Sequence, residues 1–224
     1  MPIILNIDTS SNVASISISR YGKGIGRIQN NDQKEHASFL QPAIKNLLLS
    51  LQLTMTDIDA VAVVNGPGSY TGLRVGMASA KGICYALKKP LITIGSLPLM
   101  SKSALISLKK EEKPIPLLCP MIDARRMEVF TTIHNSSLEE IFPAQAMILS
   151  YETFVATLLQ NKILFFGNGA SKFRELTDHP NALFSNIYDS YDAICELSYL
   201  KFLSNQFSDI AYCEPLYLKE FFNG

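Results

Sequence analysis

The sequence predicts an α/β protein made of two lobes that are related by duplication. Each half begins with an apolar strand that ends in Ile-Asp, at Asp8 and at Asp123. Short apolar strands then alternate with segments of helical periodicity, and the second half repeats this order in reduced form. A charged stretch containing proline, Lys109–Pro116, separates the halves. We therefore predict an N-terminal lobe over 1–108 and a smaller C-terminal lobe over 109–224, whose last helix either stays there or packs across.

The first half opens with antiparallel strands. "PIILNID" is an apolar run, "NVASISISR" alternates between apolar residues and serine, and "YGKG" supplies a turn before "IGRIQN". A helix is predicted from about His36 to Leu51, because its apolar residues recur at helical spacing. Pro42 should bend this helix or loosen its first turn. A buried strand, "DAVAVVN", a glycine-rich segment with its helix, and a strand "PLITIGS" complete the half.

The glycine segment "NGPGSYTGLRVGMASAKG" resembles a phosphate loop only superficially. A nucleotide-binding Walker A loop needs G-x-x-x-x-G-K-[ST], and neither that spacing nor its lysine is present. A dinucleotide-binding fold needs an acidic residue about 20 residues further on, but no Asp or Glu lies between Asp59 and Glu111. The glycines therefore need another explanation.

Small residues at Gly72, Gly76 and Ala80 recur every four positions and share one helix face. Each interior glycine costs about 1 kcal/mol relative to alanine. Such a face allows another backbone to approach closely, and two interpretations remain open. The helix packs either against its own lobe or against a partner subunit. Ser69 or Thr71 is the expected N-cap.

The second half can be aligned with the first over one short stretch. "LLCPMIDARRMEVFTTIH" lies over "PIILNIDTSSNVASISIS", with the two Ile-Asp pairs in register. A helix at Tyr151–Gln160, a strand "KILFFGNG" and a last helix near Ala193–Gln206 complete the reduced repeat.

Composition excludes several classes of protein. The 224 residues carry 20 basic and 20 acidic side chains, so no basic surplus favours autonomous binding of nucleic acid. The four cysteines form no C-x-x-C pair, which is typical of buried thiols in a reducing compartment. No signal peptide and no run of roughly 18 apolar residues is found, so we expect a soluble, cytoplasmic protein without a membrane anchor.

Four segments together resemble the TsaB family, also called YeaZ. They are "NIDTS", "NGPGSYTGLRVGMASAKG", "DARRMEVF" and "EPLYLK", in the family's order and at about its separations. The resemblance spans nearly the whole chain and implies the duplicated actin-like fold shared by chaperone ATPases and sugar kinases. It also implies a non-catalytic subunit of the bacterial machinery that makes threonylcarbamoyladenosine in tRNA, at the adenosine next to the anticodon.

The resemblance further implies the partners. The N-terminal helices would bind TsaD, the related transferase, or a second copy of this chain; TsaE would join through the complex, and tRNA would be met only indirectly. The glycine face is then part of a partner interface. The residues predicted to form this interface are Leu40, Ile44, Leu47, Gly72, Gly76, Ser79, Ala80 and Ile83.

No catalytic residue, metal or cofactor is expected. TsaD-type enzymes hold a metal with H-x-x-x-H, but the corresponding segment here runs from His36 to Leu40, so the second ligand is missing. His36 is expected to be a helix-start residue.

The phosphate loops of the actin-like fold are predicted to be vestigial. Their residues would be Asp8, Thr9 and Ser10 in one turn and Asp123 and Arg125 in the other.

Other functions of this chain remain open beside the TsaB resemblance. A small actin-fold phosphotransferase would use Asp8 and Asp123 on magnesium, but the arginines at 125 and 126 should obstruct its second phosphate loop. They could instead bind an anion bidentately, form surface ion pairs, or lie in an interface.

The glycines of "FGNGAS" can be a relic of an adenosine site or only a strand–helix turn. No motif identifies a peptidase triad, although sequence does not exclude a spatial one. A homodimer without other partners would use the same helices.

Overall fold

The computed structural model describes residues 2–32, 35–108, 115–186 and 189–219. The chain divides into two compact units. Unit 1 consists of Met1–Ser96 with Ser190–Leu216, and unit 2 of Leu97–Asp189 with Tyr217–Gly224. Residues 109–114 of the predicted linker, Lys109–Pro116, lie outside the described residues. No helix in the described ranges is both long enough and apolar enough to span a bilayer.

Unit 1 contains a five-stranded mixed sheet in the order β3-β2-β1-β4-β5. The central strand β1 pairs antiparallel with β2 and parallel with β4. A core of aliphatic side chains lies between this sheet and helices α1 and α2. The elements are β1 (Ile3–Asp8), β2 (Ala14–Arg20), β3 (Lys23–Asn30), α1 (His36–Ser50), a 3-10 helix (Met55–Asp57), β4 (Ala60–Gly66), α2 (Tyr70–Leu87) and β5 (Leu91–Gly95).

Unit 2 repeats this topology with shorter helices. Its sheet has the order β10-β9-β6-β7-β8, in which β6 pairs antiparallel with β7 and parallel with β9. Its elements are α3 (Ser96–Leu108), β6 (Leu117–Asp123), β7 (Glu128–His134), β8 (Glu140–Ile148), α4 (Val155–Leu158), β9 (Ile163–Phe166), α5 (Ala170–Arg174) and β10 (Ala182–Ser185).

The duplication is confirmed by this correspondence of strands. In each sheet the first strand of the unit is central, the next two strands continue antiparallel on one side, and the last two continue parallel on the other. Asp8 ends β1 opposite Ser15, and Asp123 ends β6 opposite Val129. The two Ile-Asp segments recognised in the sequence therefore occupy equivalent positions, and the predicted two-lobed α/β class is confirmed.

The division into units differs from the predicted boundary at residue 108. The last helix, α6 (Tyr191–Leu203), packs on β1, β2, β3 and β5 and so belongs to unit 1. Helix α3, which was not predicted, belongs to unit 2 from Leu97 onward. Its Met100 and Leu105 join a cluster with Leu118 of β6. The helix that follows the last strand of each unit therefore belongs to the other unit. Helix α3 follows β5 of unit 1 but belongs to unit 2 from Leu97 onward, and α6 follows β10 of unit 2 but belongs to unit 1.

The other element predictions have mixed outcomes. α1 is confirmed, and it continues through Pro42. The turn at Tyr21 and Gly22 has positive φ at both residues, as a tight hairpin requires. The helix predicted at Tyr151–Gln160 is wrong for most of its length, because only Val155–Leu158 is helical. Strands β8 and β10 and helix α5 were not anticipated.

Candidate functional site

The glycine segment packs against the β1–β2 turn of its own unit. The Ser69 amide donates to the Ser10 carbonyl at 2.7 Å, and the Ser69 hydroxyl accepts from the Gly72 amide at 3.3 Å, which caps α2. The Thr9 hydroxyl donates to the Gly72 carbonyl at 2.7 Å. Of the two predicted N-cap candidates, Ser69 is the cap. Two amides that a phosphate would need are therefore already bonded within the chain.

The missing side chains of this segment allow that close approach. A Cβ added to Gly72 would collide with the Thr9 carbonyl, and one added to Gly76 would collide with the Thr9 hydroxyl. At Gly68 the obstacle would be the Ser10 carbonyl. Real Cβ atoms essentially never make such short contacts. Gly68, Gly72 and Gly76 are therefore explained by internal packing, which was the first of the two interpretations.

The residues predicted to form the partner interface lie mostly inside unit 1. Their apolar side chains pack α1 and α2 against each other and against the sheet. In the isolated chain they offer a partner almost no surface, and only Ser79 is half-buried. The buried members are Leu40, Ile44, Leu47, Gly72, Gly76, Ala80 and Ile83.

A shallow groove beside these residues is exposed. It has a volume of about 390 Å³, and among the predicted interface residues only Ser79 and Ile83 line it. A Cβ at Gly82 would meet open space, and the neighbouring Tyr85 is 81% exposed. The lining residues are Gln41, Met55, Ala78, Ser79, Gly82, Ile83, Ala86 and Leu87.

The first predicted phosphate turn is closed on itself. Asp8 is 5% exposed, and its Oδ1 accepts from the Ser10 amide at 3.0 Å and from the Ser10 hydroxyl at 2.7 Å. Burial raises the pKa of Asp8, while the hydrogen bonds from Ser10 and the charge of His36 lower it by less. The carboxylate is buried and its Oδ1 is occupied by Ser10, so this turn does not present an open acidic group to a magnesium ion.

His36 begins α1, as predicted for a helix-start residue. It is buried, its Nε2 lies 3.3 Å from the Asn12 carbonyl, and its Nδ1 has no hydrogen-bond partner. Leu40, one turn later, is fully buried in the core rather than at a site. Over the described ranges, no group of three His, Cys, Asp or Glu side chains could hold a metal ion.

The second predicted phosphate turn differs in being exposed. Asp123 Oδ1 accepts from the Arg125 amide at 2.6 Å and from Lys172 Nζ at 2.7 Å. Partial burial raises the pKa of Asp123, but Lys172 and the Arg125 amide outweigh it, so this pKa lies below its usual value. Arg125 and Arg126 have φ values of 69° and 47° and exposed side chains. A loop held this way presents arginines where a phosphate loop would present small residues.

The segment "FGNGAS" is also explained by packing. Gly167 has a φ of +98°, and its missing side chain leaves room for Met100 and for the Met121 carbonyl. Asn168 Oδ1 accepts from the Asp123 amide at 2.9 Å. The glycine turn therefore fastens β6, and no ligand is needed to account for it.

A serine–histidine pair exists that sequence reasoning missed. The Ser101 hydroxyl lies 2.9 Å from His134 Nδ1, and Glu140, opposite His134 in the sheet, contributes charge. Ser101 and His134 are only 0% and 3% exposed, so no substrate reaches this hydroxyl. The pair was missed because Ser101 lies on α3, which the periodicity did not reveal. It is a core hydrogen bond, not a peptidase site.

Comparison with known proteins gives the family. The family model described as "TsaD: tRNA N6-adenosine threonylcarbamoyltransferase" matches residues 11–212. The relative named "tRNA threonylcarbamoyladenosine biosynthesis protein TsaB" in Bacillus subtilis is 28% identical over 178 residues, which cover 78% of this chain and 75% of that protein. The protein of the same name in Haemophilus influenzae is 26% identical over 234 residues, 96% and 93% of the two chains. This chain is a TsaB member of the TsaD-related family.

Solved structures agree in fold. "YeaZ from Pseudomonas aeruginosa" has a TM-score of 0.77 at 19% identity, covering 97% of this chain and 100% of that one. A second structure, titled "Crystal structure of an uncharacterized protein with similarity to peptidase YEAZ from Pseudomonas aeruginosa", has a TM-score of 0.80 at 20% identity, with 98% and 100% covered. Membership of the TsaB family places this chain among proteins of tRNA threonylcarbamoyladenosine biosynthesis.

Proposed function

We propose that this TsaB chain is a non-catalytic subunit of the threonylcarbamoyl transfer machinery, and that it binds its relative TsaD through the exposed groove of α1 and α2. In this proposal TsaD carries out the transfer to tRNA, TsaE joins through the complex, and this chain meets tRNA only indirectly. A second copy of the chain occupies the same groove when TsaD is absent. The four cysteines are free thiols, which suits the cytoplasm.

The observation that carries the proposal is the composition of the groove. Ala78, Gly82 and Ala86 are small and exposed along one face of α2, so a helix of another chain can approach this backbone closely. Tyr85 stands beside them with most of its ring in solvent, and tyrosine is among the side chains that contribute most to interfaces. The proposed contact set is therefore shifted by part of a helix turn from the one predicted from sequence.

The phosphotransferase alternative receives less support. It needs two acidic turns open to magnesium and phosphate, but Asp8 is buried under hydrogen bonds from Ser10. Asp123 is held by Lys172, and exposed arginines follow it. A subunit that organises TsaD needs neither turn to be open. Binding of this subunit shifts TsaD toward its competent state only by as much as the subunit binds that state more tightly than the other states of TsaD.

The test is size-exclusion chromatography with light scattering of this chain, alone and mixed with TsaD. Ala86→Arg inserts a long charged side chain into the groove, and Ala156→Arg, at an exposed position on α4, is the matched control. We expect a heterodimer for the wild type and for Ala156→Arg, and none for a folded Ala86→Arg. A heterodimer that survives Ala86→Arg would refute the groove as the binding site. ATP binding by the isolated chain in calorimetry, with no heterodimer, would favour the phosphotransferase.

A further inference from the structure

The groove of α1 and α2 is too small to form a stable interface alone. It is lined by eight residues, whereas a stable protein–protein interface uses about 20–30 residues on each side. The surface that binds TsaD in the proposed function must therefore extend beyond the groove. On α2 it can extend past Tyr85. At about 3.6 residues per turn, Tyr85 points between Ala78, which lines the groove, and Lys81.

The chain that follows α6 lies against the Lys81 side of α2. We call its residues 208–213 the strap, and they belong to unit 1. The Ser208 amide donates to a carbonyl of β5 at 2.8 Å, which anchors the beginning of the strap. Ile210 and Cys213 pack against the core of unit 1, and Cys213 Sγ lies 3.8 Å from Met77 Sδ on α2. The strap is therefore held at both ends.

Between these anchors the backbone around Tyr212 is fixed by hydrogen bonds. Lys81 Nζ donates to the carbonyls of Ala211 and Cys213, at 3.4 and 3.1 Å. Asp209 Oδ1 accepts from the amides of Ala211 and Tyr212, at 2.7 and 3.4 Å. The peptide groups on both sides of Tyr212 are thus tied down, although Tyr212 itself is 84% exposed.

The fixed backbone distinguishes Tyr212 from an ordinary exposed aromatic residue. Single exposed apolar side chains are common and need no explanation. An exposed tyrosine on a backbone that is already ordered offers a partner a large contact area at a small cost in entropy. A second such tyrosine is close by, because Tyr85 is 81% exposed and lies one helical turn after Lys81. A partner seated on the groove can therefore meet both rings.

We propose that the strap is part of the TsaD-binding surface, that Tyr212 contacts TsaD together with Tyr85, and that Lys81 is a positioning residue that holds Tyr212 for this contact. The inference rests on the proposed function and extends its site from the groove, across Tyr85, to the strap. The partner is TsaD because the strap continues the surface that TsaD covers and supplies part of the contact area that the groove lacks.

The first test measures the Kd of the full chain for TsaD by calorimetry. We expect Tyr212→Ala and Tyr85→Ala each to raise the Kd about tenfold, as loss of a central aromatic contact does. Tyr212→Phe keeps the ring and should stay within about threefold of the wild type. Tyr151→Ala is the matched control, since Tyr151 is 75% exposed but lies in unit 2, and it should leave the Kd unchanged.

A second test separates the positioning role of Lys81 from direct contact with TsaD. Lys81→Met removes the two hydrogen bonds to the strap and should raise the Kd about fivefold, because the strap must then be ordered on binding. In the Tyr212→Ala background the same change should have no further effect. Hydrogen exchange of the free chain should be faster at 208–213 in Lys81→Met and unchanged in Tyr212→Ala. Effects on the Kd that multiply would mean that Lys81 contacts TsaD itself, which would refute the positioning role.

A third test needs no loss of a side chain. A photoreactive benzoylphenylalanine placed at position 212 should crosslink to TsaD on irradiation of the complex, and the same group at position 151 should not. Equal crosslinking from both positions, or crosslinking from 151 alone, would refute the assignment of the strap to the TsaD surface.

The outcomes distinguish this inference from the proposed function. If Tyr212→Ala binds TsaD like the wild type while Ala86→Arg does not bind, the groove stands and the strap is refuted. If Tyr212→Ala weakens only self-association, a second copy covers the strap, and the inference is refuted as well. If the wild type does not bind TsaD at all, the proposed function fails and the inference fails with it.

Discussion

The hydroxyl of Thr9 occupies the space that a single methyl group on Gly76 would need. The same hydroxyl donates to the Gly72 carbonyl, one turn earlier on α2. The threonine directly after β1 and a glycine in the middle of α2 therefore fix the distance between the sheet and the helix. This contact gives the first prediction.

We predict that Gly76→Ala destabilises the chain by about 1–3 kcal/mol, because the added methyl forces the helix or the turn to move. The contact also predicts that the double variant Gly76→Ala with Thr9→Ala loses less stability than the sum of the two single variants. Urea unfolding of the four proteins measures this coupling. Strict additivity would show that Gly76 is constrained by something other than Thr9.

We predict the opposite effect at Gly82. Its added methyl would meet open space on an exposed part of α2, so Gly82→Ala gains helix propensity without a clash. The free energy of unfolding should rise by about 0.5–1 kcal/mol. Thermal unfolding of this variant beside Gly76→Ala distinguishes the outer face of the helix from the inner one. A loss of stability would mean that the groove is less open than described.

His134 predicts a pH dependence of stability. Burial lowers its pKa in the folded chain and Glu140 only partly offsets this, whereas the unfolded chain titrates near 6.5. The unfolded state then binds more protons below about pH 6.5, so stability falls as the pH drops from there to the folded pKa. The slope from one such group is at most about 1.4 kcal/mol per pH unit. His134→Gln should remove this part of the profile, measured by urea unfolding between pH 7 and 5.

Asp8 should act with the opposite sign at lower pH. Its pKa is raised in the folded chain, so the charged form is disfavoured there and its contribution is lost as the pH rises through the folded value. Asp8→Asn should therefore flatten a different part of the profile from His134→Gln. An NMR titration that follows the remaining group in each variant separates the contributions of Asp8 and His134. Identical changes in both would contradict the assignment of either group.

Lys81 fastens the C-terminal segment of unit 1 to α2. Its Nζ donates to the carbonyls of Ala211 and Cys213, at 3.4 and 3.1 Å, on either side of the exposed Tyr212. We predict that Lys81→Met increases chymotrypsin cleavage after Tyr212, because local opening becomes easier. Lys45→Met, at an exposed lysine of α1, is the control and should leave the cleavage rate unchanged.

The sequence predicted well those features that are local. The Ile-Asp repeats identified equivalent strands because they carry both the apolar run and the turn within a few residues, and α1 was found from its periodicity. The interface residues show the limit of that reasoning. An apolar stripe on a helix indicates which face is buried but not by what, and here Leu40, Ile44 and Leu47 are buried by their own unit.

Features that depend on distant parts of the chain were not predicted. Helix α3 mixes serines with apolar residues along its length, so its apolar periodicity is weak. The Ser101–His134 hydrogen bond that depends on it joins residues 33 positions apart. The unit to which α6 belongs is likewise decided by packing against β1, β2, β3 and β5, which no short segment records.

The membership of α6 in unit 1 has a consequence for synthesis of the chain. A ribosome delivers residues in order, at about 5–20 per second. All five strands of the unit 1 sheet exist once residue 95 has emerged, but the helix that covers one face of it ends at residue 203. For the intervening interval the nascent chain carries an incompletely covered sheet, and unit 1 can finish folding only after nearly the whole of unit 2 has been translated.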